Sequence, residues 1–137
     1  MKPYAVGIDV GGSKIAAGIV NRDGELTTCY KTYAHSEKEP HFVIDAIEEA
    51  YFSLMNGCGL NSDDIEGVCV GFGGTVNGPE GLVLISSNLP AWHKMPLRDT
   101  VAKRIGRPVI LENDSNLCAL GEYHYGAGRG SRNMCYA

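Results

Sequence analysis

The chain has 137 residues, of which 44% are hydrophobic and 20% charged, and this predicts one folded domain with a single core. The formal net charge is −4 and no long run of Lys and Arg occurs, so we expect no nucleic-acid partner. Five scattered cysteines without a Cys-x-x-Cys pair exclude a disulfide framework, and the lack of a signal peptide or bilayer-length apolar run predicts a cytoplasmic protein without a membrane partner.

The first third of the chain predicts three consecutive strands. Residues 4–8 form a short apolar run that is typical of a buried strand. Residues 14–20 predict a second strand and residues 26–33 a third, with Asp23-Gly24 between them as a hairpin turn. Because short turns join neighbouring strands in opposite directions, these three strands should form an antiparallel meander.

Helices and strands then alternate along the rest of the chain. Apolar residues at three- and four-residue steps predict a helix over residues 40–56, which Gly57 and Gly59 would end. The further predicted elements are strands at 65–70 and 109–111, a short strand at 82–85, helices at 96–105 and 114–125, and the start of a strand at 133–137. The main order βββαβαβα predicts an α/β domain with a mixed sheet and helices on both faces, as in the ribonuclease-H-like fold of hexokinases and actin.

A first chemical motif, Asp9-Val10-Gly11-Gly12-Ser13-Lys14, falls in the turn between the first two strands. Adjacent glycines let backbone N–H groups approach a phosphate, and the Ser13 hydroxyl adds a donor. Asp9, at the end of the strand, is suited to hold Mg²⁺ through water. A plain two-glycine hairpin turn explains the same residues, and the motif alone leaves both interpretations open.

A second motif, Glu112-Asn113-Asp114-Ser115-Asn116, lies where a strand passes into a helix. A carboxylate here faces the crevice at the carboxyl end of the strand, where Asp114 is suited to accept a proton from an attacking hydroxyl. Asn113 is suited to bind a neighbouring hydroxyl through its amide. Asp, Asn and Ser are also the usual helix N-caps, so capping remains an alternative.

A third candidate segment is rich in glycine and small polar residues. It comprises residues 71–81, followed by Ser86-Ser87-Asn88-Leu89-Pro90-Ala91-Trp92. Gly, Asn and Ser with one Trp are typical of a loop that faces a saccharide. An irregular surface loop with Trp92 packed underneath is the alternative.

In this order and at these separations, the three segments resemble the ROK family of repressors and sugar kinases over essentially all 137 residues. Residues 9–14 match its D-x-G-G-T-K phosphate motif, with Ser13 in place of Thr. Residues 71–77 match its glycine-rich loop, and residues 87–92 are similar to the segment that follows. Residues 111–122 resemble its L-E-N-D-A-N-x-A-A-L-G-E signature, and residues 126–130 fit as well.

The resemblance implies ligand roles for individual residues. The residues implied near the ATP phosphates are Gly11, Gly12, Ser13 and Lys14, with Asp9 near Mg²⁺. The residues implied to contact the sugar are Gly74, Asn88, Asn113 and Asp114, and Asp114 is also the implied base. Gly73, Thr75 and Asn77 replace the more usual proline, proline and aspartate, which leaves the sugar undetermined. Glu122 belongs to the signature, and we expect a structural role for it.

The resemblance also implies that residues 1–137 are an N-terminal, actin-like lobe. A second glycine-rich phosphate motif, further sugar-binding residues and a zinc site found in many members would belong to a second lobe that this chain lacks. We therefore expect ATP-dependent phosphorylation of a hexose or N-acetylhexosamine by a glucokinase-like enzyme, with this lobe inactive alone and prone to form homo-oligomers.

Two other functions compete with the kinase. One is the sugar-sensing half of a ROK transcriptional regulator; since the first strand begins at Tyr4, we expect no helix-turn-helix before it. The other is a non-kinase ATPase of the actin and Hsp70 superfamily, which the Glu112-Asn113-Asp114 signature disfavours.

Overall fold

The computed structural model describes residues 1–35, 39–87 and 89–137. The elements in chain order are β1 (Tyr4–Val10), β2 (Lys14–Asn21), β3 (Leu26–Tyr33), α1 (Pro40–Cys58), β4 (Ile65–Phe72), β5 (Thr75–Asn77), β6 (Leu82–Ile85), β7 (His93–Met95), α2 (Leu97–Ile105), β8 (Val109–Asn113) and α3 (Asp114–Tyr125). A single 3₁₀ turn, Ser62–Asp64, precedes β4.

The main sheet has five strands in the order β3-β2-β1-β4-β8. β1, β2 and β3 pair antiparallel, because their connections are short turns. β4 lies parallel to β1, and β8 parallel to β4, because a helix makes each crossover. The predicted mixed sheet and ribonuclease-H-like element order are confirmed.

One face of the sheet carries the core. Val6, Ile8 and Val10 of β1 are buried, whereas Gly7 and Asp9 between them are exposed, as the two-residue period of a strand requires. α1 covers this face with its apolar stripe, and α2 packs beside α1. The buried residues of α1 are Val43, Ile44, Ala46, Ile47, Ala50, Tyr51 and Leu54.

The third helix lies on the opposite face. Val70 and Phe72 point into the core, so Gly71 between them faces the other way, and a Cβ added there would lie 3.0 Å from Leu117 Cδ1 in α3. At the other end of α3, a Cβ on Gly24 in the β2–β3 turn would overlap the Tyr125 ring. Helices therefore cover both faces, as predicted, although no residue of α3 is buried.

Five predicted boundaries move outward in the structure, because β1, β2, α1, β4 and β8 each continue one or two residues further than the sequence indicates. α1 continues through Gly57 to Cys58 and is capped by Gly59, whose φ of 72° is the left-handed conformation that favours glycine. β8 extends to Asn113, because its pairing with β4 continues as far as Phe72 and Asn113. The extension of β8 is important for the site, since it places Asn113 at the last position of a strand.

A small second sheet with the order β5-β6-β7 was only partly predicted. β6 matches the predicted strand at 82–85, whereas β5 and β7 have three residues each, too few for an alternating pattern to be visible. The predicted strand at 133–137 is wrong. Residues 131–137 contain no strand or helix, and Met134 instead packs against the turn after α3, where a Cβ on Gly128 would overlap its Sδ.

Candidate functional site

The candidate site lies where the parallel strands β1, β4 and β8 end. Asp9 is next to Gly71 in the register of β1 and β4, and Gly71 is next to Glu112 in the register of β4 and β8. β8 ends at Asn113, and Asp114 follows it as the first residue of α3. The carboxyl edge of an open sheet is a common location for ligand sites, because side chains from several strands meet there.

Asp9 and Asp114 are electrostatic neighbours across Gly71. A Cβ on Gly71 would lie 3.7 Å from Asp114 Cα, so the bare glycine lets the start of α3 approach the sheet. The pKa of Asp9 is raised above its ordinary value, first because the carboxyl is partly desolvated and second because Asp114 is negatively charged. Because the negative charges of Asp9 and Asp114 repel each other, a cation bound between them would be stabilised.

Two backbone hydrogen bonds hold the turn that contains the predicted phosphate-binding residues. The Gly11 N–H donates to the Lys14 carbonyl at 3.0 Å, and the Ser13 carbonyl accepts from Ala34 N–H at 2.9 Å. The side chains of Ser13 and Lys14 are exposed. The turn directly follows Asp9 and Val10, so the predicted residues 9–14 and the Asp114 carboxylate share one edge of the sheet.

Asn113 connects α3 to the glycine-rich loop. Its Oδ1 accepts from Asn116 N–H at 3.1 Å, so Asn113 is the N-cap of α3. Its Nδ2 donates to the Gly74 carbonyl at 2.8 Å. The capping alternative therefore holds for Asn113, yet its amide keeps a second N–H and a second lone pair that suit a ligand hydroxyl.

Glu112 orders the start of α3, a role that sequence reasoning missed. Its Oε1 accepts from the Asn113 backbone N–H at 2.8 Å and from Asn116 Nδ2 at 3.0 Å. Asp114 Oδ1 in turn accepts from Ser115 N–H at 2.8 Å. The orientation of the Asp114 carboxylate thus rests on bonds within residues 112–116, and the only signal in the sequence is the motif itself.

Trp92 belongs to the core beneath the third predicted segment. It is 2% exposed and its ring lies 4.8 Å from the Phe72 ring, centroid to centroid. The burial of Trp92 that the alternative interpretation expected is therefore confirmed, and this burial leaves a sugar-facing role of the loop open. Its Nε1 is buried and has no hydrogen-bond partner in the described part of the chain. Asn88, which was predicted to contact the sugar, lies outside the described residues.

Glu122 has a structural role, as expected. Its Oε2 accepts from Ala127 N–H at 2.8 Å, and its carbonyl accepts from the N–H groups of Gly126 and Gly128 at 3.0 and 2.9 Å. A Cβ on Gly128 would lie 3.0 Å from Tyr123 Cα. The Gly-Ala-Gly turn therefore wraps around the end of α3, and Glu122 fixes it.

Among residues 1–35, 39–87 and 89–137, no three His, Cys, Asp or Glu side chains converge in a way that could hold a metal ion. Asp9 nevertheless fits Mg²⁺, since this ion can bind through a single carboxylate and keeps most of its water. None of the helices within the same residues combines the length and the hydropathy that a membrane span needs.

A mixed sheet of this order, with a glycine turn and two carboxylates at its carboxyl edge, defines a domain of the actin and sugar-kinase class. The profile of the ROK family matches residues 5–137. The chain therefore belongs to the ROK family.

Three relatives illustrate the range of the family. The glucokinase of Streptomyces coelicolor is 36% identical over 129 residues, which cover 94% of this chain and 38% of that protein. The xylose repressor of Caldicellulosiruptor bescii is 30% identical over 127 residues, which cover 88% of this chain and 30% of that repressor. The crystal structure of a ROK family glucokinase from Streptomyces griseus in complex with glucose and AMPPNP superposes on this chain with a TM-score of 0.83 at 37% identity. The match covers 93% of this chain and 38% of the glucokinase. The chain thus spans less than two fifths of each relative.

Proposed function

We propose that this chain is the N-terminal lobe of an ATP-dependent sugar kinase that phosphorylates a hydroxyl of a hexose or an N-acetylhexosamine. The observation that carries the proposal is the pairing of Asp9 and Asp114 across Gly71 at the carboxyl edge of the sheet. The similarity to glucokinases, one of which binds glucose and AMPPNP, supports it.

In this proposal Asp114 is the general base. The sugar hydroxyl oxygen attacks the γ-phosphorus of ATP, its proton passes to a carboxylate oxygen of Asp114, and the bond to the leaving ADP breaks. Glu112 and Asn116 hold the start of α3, so the carboxylate is oriented before the sugar arrives. Asn113, Gly74 and Asn88 would contact the sugar hydroxyls.

The phosphate end of the site would be formed by the turn after β1. The residues proposed near the ATP phosphates are Gly11, Gly12, Ser13 and Lys14. Asp9 would hold Mg²⁺ through water, and the ion when bound neutralises charge on the phosphates. The raised pKa of Asp9 fits this role, because a cation relieves the repulsion from Asp114.

Phosphoryl transfer requires a closed cleft, because positioning and electrostatics supply nearly all of its catalysis. The edge that carries Asp9 and Asp114 forms one wall of such a cleft. We therefore propose that a second lobe supplies the opposite wall in the longer protein, and that the 137-residue chain turns over slowly by itself. Any structural zinc would belong to that second lobe, and the proposed location is the cytoplasm.

The test is a coupled assay of ADP release by the longer protein with glucose, N-acetylglucosamine and N-acetylmannosamine. Asp114→Asn keeps the shape of the side chain and removes the proton acceptor, so kcat should fall by about 10²–10⁴-fold while sugar binding persists. Asp23→Asn, in the exposed turn at the far end of the sheet, is the matched control. Near-normal kcat in Asp114→Asn would disprove the role of Asp114.

A sugar-sensing transcriptional regulator is the second candidate, because the xylose repressor matches the same region. Such a protein would bind a sugar without releasing ADP. Direct calorimetry with each sugar, run beside the coupled assay, separates the two functions: binding without turnover in the longer protein favours the regulator.

A further inference from the structure

We propose that Ser86 is a positioning residue that holds the glycine-rich loop in the conformation that binds sugar; this inference rests on the proposed function. Ser86 follows β6 and is 3% exposed, and its Oγ–H donates to the Gly73 carbonyl at 2.7 Å. Apart from the aromatic Tyr51 and Trp92, it is the one buried side chain in the described part of the chain that carries a polar group. A buried hydroxyl keeps its hydrogen bond, because water cannot replace the acceptor.

The loop is held from two sides by side chains of two different sheets. Ser86, at the end of the small sheet, binds the Gly73 carbonyl, and Asn113, at the end of the main sheet, binds the Gly74 carbonyl. These carbonyls belong to consecutive peptide groups. The loop therefore bridges the two sheets, and its backbone orientation depends on both bonds.

The bond from Ser86 also fixes a backbone donor. The described chain contains no cis peptide bond, and in a trans peptide the N–H points opposite to the C=O. Because the Gly73 carbonyl points toward Ser86, the Gly74 N–H of the same peptide group points away from Ser86. Gly74 is one of the residues proposed to contact the sugar, so Ser86 sets the direction of a donor that a sugar hydroxyl would meet.

Close packing restricts displacement of the loop as a whole, so rotation of the Gly73–Gly74 peptide group is the movement that the Ser86 bond controls. A Cβ on Gly74 would overlap the Ile85 carbonyl oxygen and lie 3.1 Å from Ser86 Cα. Without the Ser86 hydroxyl, the Gly73–Gly74 peptide group loses the bond that prevents its rotation. Asp114 depends on separate bonds, to Ser115 and through Glu112, so the phosphoryl-transfer step keeps its geometry.

The first test uses the longer kinase. Ser86→Ala should raise KM for the sugar about tenfold, the effect of losing one hydrogen bond at a buried site, and should change kcat and KM for ATP by less than about twofold. Ser86→Thr keeps the hydroxyl and should restore most of the affinity. Ser62→Ala, at an exposed position in the 3₁₀ turn before β4, should leave all three constants unchanged.

The second test needs no catalytic activity. In NMR spectra of the 137-residue chain, the backbone amide resonance of Gly74 should shift and broaden in Ser86→Ala relative to the wild type, whereas that of Val70 in the central sheet should not change. An unchanged sugar KM together with an unchanged Gly74 resonance would overturn the inference, as would a proportional loss of kcat and of affinity for both substrates. If the wild-type longer protein phosphorylates none of the sugars, the proposed function fails, while the Gly74 resonance still decides the role of Ser86.

Discussion

Gly74→Ala tests how closely the glycine-rich loop packs against the end of β6. The added methyl group would overlap the Ile85 carbonyl oxygen and would lie 3.1 Å from Cα and Cβ of Ser86. These are mainly backbone atoms, so no flexible side chain can move aside. The φ of Gly74 is not positive, and the cost is therefore steric. We expect the free energy of unfolding to fall by about 1–3 kcal/mol, as for other overpacked sites.

Gly7→Ala is the matched control, because Gly7 lies in β1 of the same domain and a Cβ there meets nothing within 4 Å. At a compatible site, Gly→Ala raises the free energy of unfolding by up to about 1 kcal/mol, because alanine reduces the conformational freedom of the unfolded chain. Urea and thermal denaturation of both variants of the 137-residue chain give the comparison, with a shift in Tm of about 4 °C for each kcal/mol. Equal stability of the two variants would refute the close packing of the loop.

Three further predictions concern ligands, pH and association. Gly12→Val in the longer protein should weaken ATP far more than glucose in calorimetric titrations, because a side chain blocks backbone approach to phosphate; equal losses would indicate misfolding. The pKa of Asp9 in the folded chain lies above its ordinary value of 3.8, so between these two pKa values the folded chain binds more protons than the unfolded chain. The free energy of unfolding therefore decreases as the pH rises through this range. Asp9→Asn should flatten this part of the profile, and superimposable profiles would contradict the prediction. Because Ile110, Leu120 and Tyr125 are exposed, the chain alone should associate in light scattering as its concentration rises; a monomer at every concentration would contradict this.

Local sequence signals determined most of the elements. The short apolar run of β1, the three- and four-residue steps of α1 and the Asp23-Gly24 turn each reflect a local composition, a period or a backbone preference that acts within a few residues. The order of these elements predicts the mixed sheet, because short turns give antiparallel neighbours and helical crossovers give parallel ones. The resemblance to the ROK family predicted that motif residues 9–14 and 112–116 form one site, and the parallel order of β1, β4 and β8 explains why they meet.

Only the tertiary structure decided how distant residues contact each other. The burial of Trp92 against Phe72, the bonds from Ser86 and Asn113 to adjacent carbonyls, and the approach of α3 over Gly71 join segments far apart in the chain. β5 and β7 are too short to have a periodic pattern, and in place of the predicted strand at 133–137 Met134 packs against Gly128. An apolar run or a polar side chain indicates only what kind of partner it needs; which partner it finds depends on packing across the whole domain.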